Sequence, residues 1–255
     1  MKLFNGQQFV TLFSLLGKTV IVAQRDDPNH VIREDTAQRI AGAVKEIKGL
    51  CEELGLSTSA LKASVVLNRV KPGFTANTLA TSFDSLSEFI ALEMTSHLFM
   101  YIEPSKAHYY SNIDLFGSEV SEKFPSAKDD VAEAGKCLAL NRGTACVFHL
   151  MRVLESGLYA LADALQIPKI EENWHNAIEQ IEKAIRKLPS QTLEQKNDSA
   201  FYSEAATYFF NVKGPWRNRS AHSGQIYTEE KAEQVFNSVR GFMQVLATRL
   251  KQKSL

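Results

Sequence analysis

Neither sign of charge is in excess: 29 Lys and Arg face 29 Asp and Glu, so the formal charge is zero. That excludes a strongly basic coat for nucleic acid and leaves room only for a local basic patch. Cysteine is scarce. Cys51, Cys137 and Cys146 are odd in number and lack the close spacing of a structural zinc site, so they read as reduced thiols of a cytoplasmic protein. Long apolar runs are missing from the start of the chain. "MKLFNGQQFVTLFSLLGKTVIVA" is broken by Asn5, Gln7, Gln8, Thr11 and Ser14 and split by Lys18. It falls short of the roughly 18 apolar residues that span a bilayer, and it lacks a signal peptide's clean apolar core and small-residue cleavage site. A packed N-terminal helix, with no membrane partner, is the expectation. Repeats, low-complexity tracts, nucleotide-binding glycine motifs and metalloprotease helix signatures are also absent.

What is present is helical periodicity. In 34–56, Ile40, Val44, Ile47, Leu50 and Leu54 recur every three or four residues; Asp35 or Thr36 is placed to cap this helix and Gly55 to end it. A second helix is expected over Thr58 to Val70, stopping before Pro72. A third is expected from about Ser82 through Leu86, Phe89, Ile90 and Met94. The stretch "HLFMYIEPSKAHYYS" (97–111) sets two apolar or aromatic runs around Glu103-Pro104-Ser105-Lys106. It fits a small β-hairpin or a helix broken at Pro104, and the pattern leaves both open. Residues 111–126, with Gly117 and Pro125, form the candidate domain boundary. Their low content of Pro, Gly and charge suggests that the flanking parts pack closely.

From Ser126 onward the signal strengthens. "SAKDDVAEAGKCLAL" has Ser126 as its expected cap and early acidic residues. In 144–167, Val147, Leu150, Met151, Leu154, Leu158, Leu161, Ala162 and Leu165 form the broad apolar face of a central bundle helix. Helices at 174–188, 201–218 and 228–252 follow, the last capped by Thr228 with Glu229 and Glu230 in its first turn. The expected fold is mainly α. A C-terminal antiparallel bundle over 127–252 follows an N-terminal helical region over 1–120 of unassigned role, with the 97–111 hairpin as one reading.

Chemistry concentrates in "GPWRNRSAHSG" (214–224). Arg217 and His222 are five apart, about 500° of rotation on an ideal helix, so they share no face unless the helix ends or bends between them. Arginine offers a fixed fork of donors for phosphate oxygens, and histidine exchanges a proton near neutral pH. Arg219 adds a second phosphate contact, and Asn218 is placed to orient His222 or a substrate oxygen. This set suits metal-free RNA cleavage, in which a base assists 2′-hydroxyl attack and Arg217 stabilises charge at phosphorus. A polar loop leading into a helix has the same composition without any chemistry, and spacing alone leaves that reading open. Residues 196–255 carry nine basic and five acidic side chains, a modest pull on RNA.

The stretch "WRNRSAH", set between an apolar helix and a final amphipathic helix, resembles the Arg-x4–6-His motif of the HEPN superfamily (higher eukaryotes and prokaryotes nucleotide-binding domain). "TACVFHLMRVLESGLYALADAL" resembles the first long helix of bacterial HEPN-like proteins. The likeness covers roughly 127–252 and does not extend to the N-terminal half. It implies that Arg217 and His222 are the motif pair and that Asn218 fills the polar position after the arginine. It further implies a metal-independent endoribonuclease of toxin–antitoxin, phage-defence or RNA-processing type, needing no cofactor. Such proteins act as homodimers whose two motifs share one cleft, with an antitoxin or regulatory protein as partner. Others of the family keep the fold for binding RNA, a nucleotide or a protein.

Three further residues lie on the "FHLMRVLE" helix. Arg152 and Glu155 are spaced for a same-face ion pair, as are His149 and Arg152. Glu155 is thereby a candidate support for Arg217 or His222, or else part of a structural polar pair. His97, His108 and His175 read as ordinary residues, His175 at a helix start. Among Phe201, Tyr202, Tyr208, Phe209, Phe210 and Trp216 most are expected in the core, with Tyr227 the more exposed aromatic.

Overall fold

The computed structural model describes residues 6–24, 29–212 and 226–252, side chains 18–24 excepted, and contains eleven α-helices among them. The chain divides into two compact units, Met1–Met100 and Tyr101–Leu255.

The first unit holds α1 (Gly6–Gln24), α2 (Glu34–Leu54), α3 (Ser57–Arg69) and α4 (Ala76–Met94). The apolar positions read from α2 become core: Ile40, Val44, Ile47 and Leu54 are buried beside Leu79, Phe83, Leu86 and Ile90 of α4. Each fully buried side chain of this size stabilises by roughly 1.5–3 kcal/mol. Leu12 and Leu16 bring α1 onto the same core. Gly55 ends α2 in the left-handed region at φ 79°, and Leu56 N–H closes the turn on Cys51 O at 2.8 Å. The expected caps Asp35 and Thr36 lie inside α2 instead; Arg33 occupies the cap position and gives no side-chain bond. Helix α4 begins six residues before Ser82. Thr75 Oγ1 accepts from Thr78 N–H at 3.3 Å, and the added turn buries Ala76 and Leu79.

Among the described residues there is no β-strand, so the hairpin at 97–111 is absent; a single antiparallel bridge joins Val31 and Thr75. The two runs of 97–111 do not pair: in the first, Leu98, Phe99, Met100 and Tyr101 are exposed. Phe99 packs edge-on against Phe9, with ring centroids 5.1 Å apart. Pro104 sits in a turn closed by Lys106 N–H on Glu103 O at 2.8 Å, leading into α5 (Ala107–Ser111). Tyr109 then packs edge-on against Phe236 at 5.4 Å.

The second unit continues with α6 (Ser118–Lys123), a 3-10 turn (Pro125–Ala127), α7 (Lys128–Ala139), α8 (Gly143–Ala164), α9 (Trp174–Ile185), α10 (Leu193–Val212) and α11 (Glu229–Ala247). Residues 111–126 lie within this unit, with Phe116, Val120 and Phe124 in its core, and the units divide earlier, after Met100. The three-residue connection between α7 and α8 returns the chain at once, Arg142 N–H bonding Cys137 O at 2.8 Å. Helix α8 packs on α7 and α11 and buries Val147, Leu150, Leu154, Leu158 and Leu161. It is long and apolar enough, by length and composition, to cross a membrane. Some 61% of its most apolar window is buried in the bundle, so core packing accounts for that apolarity. Thr228 caps α11 as expected, accepting from Lys231 N–H at 3.4 Å. Ser126 does not cap α7; its Oγ bonds Ser156 Oγ at 3.0 Å and accepts from Gln252 Nε2 at 2.7 Å.

Candidate functional site

The motif residues Trp216, Arg217, Asn218, Arg219 and His222 lie outside the described residues, which stop at Val212 and resume at Ile226. Both flanks belong to one core. Val212, the last residue of α10, is 4% exposed, and Tyr227 is 6% exposed. Tyr227 was expected at the surface. It is buried because the chain entering α11 is pressed against the start of α8. Tyr227 N–H donates to Thr144 Oγ1 at 3.1 Å, and a Cβ on Gly143 would meet Tyr227 O at 2.4 Å. Only a glycine admits this approach of backbone to helix.

The polar side of α8 is organised by a residue that spacing did not single out. Asp130, on α7, receives His149 Nδ1 at 2.8 Å and Arg152 Nε at 2.8 and 2.9 Å to its two oxygens. Arg152 therefore pairs with Asp130 and not with Glu155, and the carboxylate holds the guanidinium even more firmly protonated. Asp130 was hidden because α7 and α8 meet only in the folded bundle; an acidic residue in a first helical turn carries no such signal by itself. Glu155 faces the other flank and accepts the indole N–H of Trp174 at 3.0 Å. Trp174 opens α9, where Asn173 Oδ1 caps by accepting His175 N–H at 2.8 Å, so His175 stands at a helix start.

The aromatic set near the motif divides as expected for a helix with one buried face. Phe209 is fully buried, and Tyr208 stacks on Phe242 with centroids 3.7 Å apart while sharing a hydrogen bond with Ser238 Oγ at 2.9 Å. Phe210 is exposed. The chain entering α11 is also fixed by charge: Lys106 pairs with Glu229 and donates to Asn141 Oδ1 at 2.6 Å, while Tyr109 O–H donates to Glu233 at 3.1 Å. A shallow surface depression opens beside Asp198, Tyr202 and Arg249, where Arg249 pairs with Asp198 at 3.0 Å. No group of three or more His, Cys, Asp or Glu side chains is placed to hold a metal ion among the described residues.

No family model matches the chain, and comparison with curated proteins and with solved structures returns no match.

Proposed function

We propose that the C-terminal bundle is a metal-independent endoribonuclease whose working pair is Arg217 and His222. The observation that carries this reading is the anchoring of the motif segment: Val212 before it and Tyr227 after it are buried in the same bundle core. The described residues on either side of 213–225 thus belong to one core, immediately before α11. His222 takes the proton from an RNA 2′-hydroxyl, the 2′-oxygen bonds to phosphorus, and the bond to the 5′-oxygen breaks. The products are a 2′,3′-cyclic phosphate and a 5′-hydroxyl, the latter protonated from imidazolium or water. Arg217 neutralises the phosphorane, with Arg219 on a neighbouring phosphate and Asn218 orienting His222. Two copies would bring two motifs to one cleft, in a cytoplasmic toxin or defence effector held by an antitoxin or regulatory protein.

A second reading, a noncatalytic module binding RNA, a nucleotide or a protein, draws on a specific observation. His149, Arg152 and Glu155 all hold partners within their own bundle, as the structural polar pairing weighed for this helix requires. RNA cleavage in the presence of a chelator separates the two, with Arg217→Ala and His222→Ala beside the parent chain. A nuclease leaves cyclic phosphate ends, and each substitution lowers the rate by about 10²-fold or more while circular dichroism stays unchanged. Equal cleavage by all three preparations marks a contaminant. RNA binding without cleavage by any of them favours the module.

A further inference from the structure

His149, Asp130 and Arg152 form a cluster between α7 and α8 that RNA cleavage by Arg217 and His222 does not use. The Asp130 side chain is largely covered, 14% exposed, while that of His149 is 27% and that of Arg152 58% exposed. A covered carboxylate thus holds two groups that reach solvent. His149 Nδ1–H donates to Asp130 Oδ1 at 2.8 Å, and Arg152 Nε–H donates to the same oxygen at 2.8 Å. An ionised carboxylate only accepts, so the imidazole proton is fixed on Nδ1 and Nε2 keeps its lone pair. Among the described residues, neither Nε2 of His149 nor either Nη of Arg152 takes a hydrogen bond. Three residues apart on α8, the two side chains project from one face. Other histidines are held differently. His97 sets Nδ1 3.0 Å from a backbone carbonyl, Glu93 O, and His175 turns Nε2 towards Glu179 at 3.4 Å.

We propose that His149 is a phosphoryl acceptor, whose Nε2 takes the phosphoryl group of a small phosphoramidate or acyl phosphate. Imidazole is a nucleophile only through an unprotonated nitrogen, and a carboxylate that fixes the tautomer keeps that nitrogen available. The Nε2 lone pair forms the N–P bond in line with the bond that breaks. The leaving group departs with the electron pair of that bond, as ammonia from a protonated phosphoramidate or as carboxylate from an acyl phosphate. The ring gains positive charge as the N–P bond forms, and Asp130, already placed on Nδ1–H, stabilises that charge. The outer nitrogens of Arg152 donate to the transferred oxygens, the recognition for which a guanidinium fork is suited. Glu155, the next carboxylate along α8, is engaged by Trp174.

This site goes beyond the proposed cleavage and shares no residue with it, so neither result decides the other. Incubating the full chain with phosphoramidate, and separately with acetyl phosphate, tests it. Peptide mass spectrometry at neutral pH locates the label, and its loss in acid marks an N–P bond. His149 is expected to be labelled about tenfold or more faster than His97, His108 and His175, and the donor that labels it identifies the class. Asp130→Asn removes the charge and lets an amide donate to Nδ1, which moves the ring proton to Nε2. Arg152→Gln leaves the bond at Nδ1 intact and removes only the guanidinium. Each variant, folded by circular dichroism, is expected to slow labelling of His149 about tenfold or more. If Asp130→Asn folds poorly, Arg152→Gln and the selectivity of the parent chain decide. No label at His149 from either donor, or labelling no faster than at His97, His108 and His175, overturns the site. Parental labelling rates in the folded variants overturn it as well.

Discussion

Glu155 and Trp174 are joined by one hydrogen bond, indole Nε1–H to carboxylate Oε1, at 3.0 Å across the space between α8 and α9. Trp174 is 4% exposed and packs edge-on against Phe209 at 5.9 Å. A buried indole N–H without an acceptor keeps its full desolvation cost, which makes Glu155 a structural residue of the bundle. Glu155→Ala is expected to destabilise the C-terminal unit by about 1–3 kcal/mol, and Glu155→Gln by less because the amide oxygen still accepts. Thermal unfolding followed by tryptophan fluorescence measures both. Equal stability of all three chains would show that the indole bond contributes nothing.

In the N-terminal unit a carboxylate performs a different task. Glu93, near the end of α4, caps the start of α3 by accepting Thr58 N–H at 3.0 Å, Ser59 N–H at 2.7 Å and Ser59 O–H at 2.6 Å. Burial pulls its pKa upward, but these bonds outweigh it and hold the group below its usual 4.5. A folded-state pKa below the unfolded one contributes stability that is complete above the unfolded value and is lost as pH falls through the folded one. Acid should therefore loosen α3 from α4 below about pH 4.5, and Glu93→Gln should show much of that loss already at neutral pH, about 0.5–2 kcal/mol. Denaturant unfolding at neutral and acidic pH checks it; a variant that is less stable by the same amount at both would rule out the titration.

Thiol chemistry follows burial. Desolvation, with Glu93 and Glu52 adding to it, pushes Cys51 up to about 11, and burial pushes Cys146 up to about 12. Cys137 is raised by burial as well, with Glu133 adding to it, but it is only half-covered. Since the thiolate is the nucleophile, brief alkylation of the native chain at mildly alkaline pH should label Cys137 first and leave Cys51 and Cys146 intact. All three should react alike in denaturant. Peptide mass spectrometry reads the order, and Cys146 labelled as fast as a free thiol would contradict its placement.

Helices whose apolar residues recur over four or more turns were legible in the sequence, because one face of each had to be buried: α2, α8 and α11 run close to the expected spans. Legibility failed where a residue answers to a distant partner. The first turn of α4 is polar in composition and becomes helical because Ala76 and Leu79 have a core to enter. Tyr109, on α5 (Ala107–Ser111), packs on Phe236, more than a hundred residues away, and the expected hairpin has no counterpart. Tyr227 looked like a surface aromatic beside a polar loop until α8 closed over it. The same limit applies to the candidate site. Arg217 and His222 stand out as letters, whereas Asp130 became visible only when α7 and α8 were side by side.

The contact between Gly143 and Tyr227 offers the most direct link from bundle to motif. A methyl group at Gly143 would lie 2.4 Å from Tyr227 O, 3.1 Å from Thr228 O and 3.2 Å from Ala232 Cβ. Two of these are backbone atoms that cannot rotate aside. Gly143→Ala must push the chain entering α11 away from α8, at a cost of about 1–3 kcal/mol. Thr144→Val removes only the hydroxyl that accepts Tyr227 N–H, and leaves the spacing alone. If the motif depends on how its C-terminal flank is seated, Gly143→Ala lowers RNA cleavage or binding more than Thr144→Val does, at a temperature where both chains are folded. Unfolding curves and the RNA assay run on the same preparations test this. Unchanged stability in Gly143→Ala would show that the two helices have room to part, and unchanged activity with lost stability would free the motif from the seating of Tyr227.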